Sequence, residues 1–192
     1  MKKLVLALSV IALSFSACIK VDIDDSVTNN GGDGPTGCTG TKEEIFICSK
    51  VITGVINESV TLPKGKYTLK GYVFVNNRAV LTIAAGSTIV SDTVQKGALI
   101  IERNSRLFAE GTATDPIVFT SGKAPGARKP GDWGGIVILG NAPTNRSTTP
   151  IIEGGINSEY GGSVVADNSG SLKYVRIEFA GIAADPNSEI NG

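Results

Sequence analysis

Short apolar runs separated by polar turns recur through the chain, and two of them repeat. Residues 71–81 (GYVFVNNRAVL) align one for one, without a gap, with residues 97–107 (GALIIERNSRL). Val73 falls on Leu99, Val75 on Ile101 and Leu81 on Leu107, while the polar positions 76–78 fall on 102–104. A constant offset of this size marks stacked units, because one unit cannot cover its own apolar face and must bury it against the next. Each unit holds three short strands, predicted at 73–75, 81–83 and 88–90 in the first and at 99–101, 107–109 and 117–120 in the second.

Three short strands per unit is parallel β-helix geometry, so the predicted fold class is all-β, a parallel β-helix of about three to four coils. A third coil is expected to start at residues 132–139 (DWGGIVIL) and a fourth at 172–179 (LKYVRIEF), where Val175, Ile177 and Phe179 alternate with Arg176 and Glu178. The intervals from Leu99 to Ile136 and from Ile136 to Leu172 are nearly equal, and both exceed the offset of the first repeat. The excess must leave as loops, and residues 123–131 and 141–162, studded with Pro, Gly and Asn, fit that role. Tyr160 and the glycines around it make the second insertion read as a mobile surface loop. The sequence stops after residue 192 without a capping helix or polar closing coil, which is the pattern expected of an N-terminal fragment of a longer protein.

Before the repeats the pattern changes. Lys2 and Lys3 precede an uncharged apolar run over residues 4–17, too short to span a bilayer, followed by Cys18. Small residues just ahead of that cysteine resemble the lipobox of bacterial lipoproteins. Residues 1–17 are therefore predicted to be a lipoprotein signal peptide, with Cys18 carrying the lipid that holds the chain on the outer membrane. An ordinary secretory signal is the simpler alternative. The acidic stretch after Cys18 (Asp22, Asp24, Asp25) weakly resembles export signals to the outer face, which favours the cell surface over the periplasmic side. Residues 18–41 comprise this lipidated cysteine and a Gly/Asn/Thr-rich flexible linker, leaving 42–192 as the β-helix domain. Cys38 and Cys48 form an even pair in an oxidising compartment, which suggests a disulfide.

Composition agrees with many strands and tight turns: 24 glycines, 6% aromatic residues and no histidine. Lys plus Arg equals Asp plus Glu at 18 each, which gives no basic footprint for nucleic acid. The missing histidine removes the commonest general base and the imidazole ligands of most catalytic zinc sites. Asp92, Glu102, Glu110, Asp115, Asp132, Glu153 and Asp167 are scattered and read as solvated turn residues, so neither catalytic nor metal-ligating residues are assigned. The only tryptophan, Trp133, follows Asp132 and the basic loop containing Lys123, Arg128 and Lys129. Trp133, Asp132, Arg128 and Lys129 are the candidate ligand-binding set, since an exposed indole beside cations can stack on a sugar or hold an acidic glycan. The competing reading makes Trp133 a cover for the coil edge.

Residues 81–90 (LTIAAGSTIV), 106–122 (RLFAEGTATDPIVFTSG), 131–143 (GDWGGIVILGNAP) and 172–181 (LKYVRIEFAG) together resemble exported bacterial proteins with right-handed parallel β-helix repeats, related in architecture to the pectin-lyase superfamily. The resemblance implies the handedness of the fold, and calcium as a cofactor in only some of the members that cleave sugar polymers; no cofactor is assigned from the residues themselves. It implies no single activity. The favoured reading is a non-catalytic, envelope-anchored protein presenting its long side to glycans or to matrix or envelope proteins. The rivals are a polysaccharide lyase or glycoside hydrolase with active-site coils beyond residue 192, and a structural spacer or adhesin stalk.

Overall fold

The computed structural model describes residues 37–185 and 188–189. The predicted signal peptide, Cys18 and the predicted linker up to residue 36 lie outside the described residues. One helix, α1 (Lys42–Ser49), is followed by a series of short strands: β1 (Val51–Ile56), β2 (Val60–Leu62), β3 (Lys66–Val75), β4 (Val80–Ile83), β5 (Thr88–Ser91), β6 (Ala98–Ile101) and β7 (Arg106–Glu110) in the first part. The second part holds β8 (Ile117–Thr120), β9 (Gly135–Ile138), β10 (Gly170–Lys173), β11 (Val175–Ile177), β12 (Ala183–Asp185) and β13 (Ser188–Glu189).

Apart from the small antiparallel β12–β13 pair, every pairing between these strands is parallel. One sheet runs β2-β4-β7-β10. The other is seven-stranded, and β3 belongs to two arms of it: residues 66–69 pair with β5, residues 73–75 with β6. Between these halves Gly71 takes φ 69°, a left-handed conformation that lets the strand change direction. The chain thus visits the β6 arm, the four-stranded sheet and the β5 arm in turn, and then returns to stack on its previous round. The offset of the sequence repeat is the pairing register itself, with Val73 on Leu99, Val75 on Ile101 and Leu81 on Leu107.

Stacking in register places like residues in columns. Val60, Leu81 and Leu107 form one interior column, Val73 and Leu99 another, and Tyr67, Ile89 and Phe119 a third, all at most 2% exposed. Full burial of each such Leu, Ile, Val or Phe contributes about 1.5–3 kcal/mol relative to exposure. Surface ion pairs add far less, so these columns hold the rounds together.

Two expectations change. Residues 172–179 do not open a fourth coil: β10 stacks on β7 and β11 on β8, so they are the second and third strands of the round that begins with β9. The nearly equal intervals around Ile136 conceal this, because Ile136 and Leu172 lie in different sheets. All the excess sits on the two sides of β9, between β8 and β9 and between β9 and β10. The second change is at the start of the domain, where α1 precedes the strands. Thr41 and Glu44 form a reciprocal capping box, and Phe46 inserts into the core cluster. Glu43 accepts from the backbone N–H of Thr61, tying the helix to β2. Cys38 and Cys48 are disulfide-bonded with Cα atoms 5.8 Å apart, so residues 38–41 are part of the folded cap rather than of a free linker. Closing a loop of this size restricts the unfolded chain by about 3 kcal/mol.

Backbones of neighbouring rounds approach closely at Gly97, where a Cβ would lie 1.9 Å from the carbonyl oxygen of Gly71, as one at Gly170 would from that of Leu107. Any side chain there must push two rounds apart. Gly97→Ala is expected to lower the unfolding free energy by about 3 kcal/mol, the upper end of ordinary single substitutions, as read from urea denaturation. An unchanged midpoint would mean that the contact relaxes freely.

Candidate functional site

The outer face of the β5 arm is open. Register places Lys66, Thr88, Val118 and Arg176 in one outward row, and Val90 and Thr120 in the next. These residues floor a groove of about 490 Å³, flanked by Lys64, Arg128 and Glu178. Its length follows from strand spacing: four stacked strands at about 4.8 Å put Lys66 about 14 Å from the Arg176 row.

Cations dominate it. Arg176 pairs with Glu178 at 3.0 Å, and Lys64 pairs with Asp115, whose carboxyl is held below its usual range chiefly by that lysine. Lys66 makes no ion pair among the described residues, and Arg128 donates from Nε to the carbonyl oxygen of Lys123 at 3.0 Å. Between them lies Thr120, only 4% exposed, whose Oγ1 has no hydrogen-bond partner. A buried hydroxyl left unpaired is costly.

Of the ligand-binding residues expected from sequence, only Arg128 lines this groove. Lys129 is exposed but outside the lining, and its backbone N–H donates to Asp132. Trp133 is a correction: it is 1% exposed, its ring stacks on Phe119 with centroids 6.4 Å apart, and its Nε1 donates to the carbonyl oxygen of Glu178 at 2.8 Å. An indole closed on both its apolar and polar sides offers nothing to a sugar. Asp132 is likewise not a solvated turn residue. At 4% exposure it accepts from Ser121 Oγ at 2.6 Å, from the Lys129 N–H at 3.0 Å and from Lys123 Nζ at 2.5 Å. The lysine first, then the serine, holds its carboxyl far below the ordinary carboxylate range. Asp132 is therefore the anchor of the 123–131 loop, and through Lys123 it fixes the backbone oxygen that positions Arg128.

The 141–162 insertion is also not a free loop. It folds over the outer face of the β6 arm, where Ile156 and partly buried Ile152 and Tyr160 pack on Ala98 and Ile100. Arg103 of the strand connection bonds Glu159 and the carbonyl oxygen of Gly161, and Ser158 donates to Glu102 at 2.8 Å. One outer face is thereby covered while the β5 arm stays accessible.

Among the described residues no three Asp, Glu, Cys or His side chains converge to hold a metal ion. Glu178 and Asp115 are tied to Arg176 and Lys64, so the residues of the groove do not fit a calcium ion. The groove's charged lining is four cations, Lys64, Lys66, Arg128 and Arg176, against the one carboxylate of Glu178. Lys66, Thr120 and Arg176 have no mark in the sequence as a set: they converge only through register, at intervals other than that of the repeat. No helix among the described residues is long and apolar enough to cross a membrane.

The anchor role of Asp132 has a definite pH signature. A carboxyl with a depressed folded pKa stabilises the fold fully above its unfolded value, near 3.8, and loses that contribution as pH falls towards the folded value. Asp132→Asn should thus be less stable than the parent at neutral pH, with the gap narrowing as the pH drops below about 4. Thermal melts of both proteins across that range check it; a gap independent of pH would rule out the charge as its source.

A family model described as a pectate-lyase-like β-helix domain matches residues 54–192. No curated protein matches the chain, and no solved structure does. With parallel strands stacked round after round and that match spanning most of its length, the chain belongs to the pectate-lyase-like β-helix domain family.

Proposed function

We propose that the chain is an outer-membrane lipoprotein, anchored through lipid on Cys18, whose groove along the β5 arm binds an acidic polysaccharide without cleaving it. The observation that carries this reading is the row of cations along an open sheet face. Uronate carboxylates suit Lys66, Arg128 and Arg176, ring hydroxyls suit Thr88, and Val90 and Val118 offer apolar floor to sugar C–H faces. A groove about 14 Å long, set by strand spacing, suits several sugar units better than one. The rounds are further inferred to wind as a right-handed solenoid, since parallel crossovers take that hand in about 98% of cases. The signal-like residues 1–17 and the acidic residues after Cys18 support export to the cell surface.

Titration of the full chain in detergent with polygalacturonate tests the groove. Binding is expected to weaken at least about tenfold, or 1.4 kcal/mol, in the Lys66→Gln/Arg176→Gln double variant, and to fall with added salt. Equal binding of neutral glycans, or no effect of the double variant, would overturn the reading. Absence of any glycan binding would favour a spacer, and release of unsaturated or reducing ends would favour an enzyme. The anchor has its own test: Cys18→Ala should abolish incorporation of labelled palmitate and release the protein from the membrane fraction.

A further inference from the structure

On the four-stranded sheet, away from the β5 arm, a second pocket of about 380 Å³ is built around Arg78 and Arg106. We propose that it is a separate binding site for a tetrahedral oxyanion, a sulfate or phosphate group. Arg106 pairs in register with Val80, which places it beside Arg78, two positions before Val80 in the preceding round. Neither guanidinium has a hydrogen-bond or ion-pair partner among the described residues, although Lys64, Arg103, Lys123, Lys173 and Arg176 are all paired with carboxylates. Two adjacent unpaired forks repel one another and are satisfied together by one anion bearing several oxygens.

The backbone at Arg78 adds an independent reason. It sits at φ 62°, in the left-handed region that favours Gly and Asn. In the next two rounds the corresponding positions are Asn104, itself at φ 68°, and Asn141, which donates from Nδ2 to Asn104 Oδ1 at 2.7 Å. An arginine in this column forgoes the amide ladder and the easier backbone, a cost that binding chemistry explains and packing does not. With Asn104 Oδ1 already accepting, its Nδ2 group remains to donate. Asn168 is in the same state, because its Oδ1 accepts from the Gly170 N–H at 2.9 Å. The one acidic residue of the lining, Asp167, is engaged by the Asn141 N–H at 2.9 Å and by Ser169 Oγ. Val164 supplies an exposed apolar rim against which the body of an esterified ligand can rest.

Isothermal titration of the full chain in detergent with sodium sulfate and, separately, sodium phosphate at fixed ionic strength tests the site. Saturable one-site binding is expected, weakened at least tenfold in Arg78→Gln and in Arg106→Gln, less in Arg106→Lys, and unchanged in Lys66→Gln/Arg176→Gln. Both arginines are exposed, so thermal melting should stay at the parent value and separate lost binding from lost folding. The stronger of the two anions identifies the group recognised. Failure of either anion to bind saturably, or binding indifferent to both arginine substitutions, overturns the proposal. Binding lost instead in the Lys66/Arg176 variant would assign the anion to the groove and overturn it as well, while leaving the glycan reading standing.

Discussion

The strands of the two large sheets in this domain pair with strands of the round before or after, never within their own round. That constraint organises everything else. Side chains alternate in and out along each strand, and register forbids a slip by one residue without turning a whole column inside out. The interior columns Val60–Leu81–Leu107 and Tyr67–Ile89–Phe119 are consequences of it, and so is the contact between Gly71 and Gly97, where two backbones approach too closely for a Cβ. Extra residues can enter only at the turns, which is where they are found.

The same constraint decides where recognition chemistry can stand. An outward row presents the same surface position once per round, so a cation at Lys66 and another at Arg176 lie along one line although they stand far apart in the sequence. The insertions then select which rows remain open. The segment after β9 covers Ala98 and Ile100 on the β6 arm, and the segment before it, pinned by buried Asp132, brings Arg128 to the edge of the β5 arm. A covered face and a cationic open face therefore arise from two turns of one round.

What the sequence makes legible follows from how each signal is spaced. The repeat of residues 71–81 at 97–107 is readable because no insertion separates the β6 arm from the four-stranded sheet in those consecutive rounds. The groove is not, because its row steps unevenly from Lys66 to Thr88, Val118 and Arg176, and no fixed period exposes it. Leu172 misleads for a related reason: an apolar alternating segment identifies a strand but not the sheet it joins. Helix α1 has a readable mark, the Thr41 to Glu44 capping box, obscured by the Gly- and Thr-rich stretch before it. Trp133 shows the limit of composition. A lone tryptophan beside cations has the same neighbours in sequence whether it faces solvent or, as here, closes over Phe119.

Burial of Trp133 and ionisation of Asp132 are linked. The indole occupies the interior at the point where the chain enters β9, and the residue immediately before it must then turn its carboxylate away from that apolar space into Ser121, Lys123 and the Lys129 N–H. Three donors on one carboxylate compensate the desolvation that burial imposes. The loop they hold ends at Gly131, whose N–H donates to the carbonyl oxygen of Ala180, so the chain leaving β11 is fastened to the same corner. Trp133, Asp132 and Lys129, which do not line the groove, are thus the residues that hold its wall in place. A site assembled from stacked rows depends on such a corner to keep its one cation from that loop, Arg128, in line.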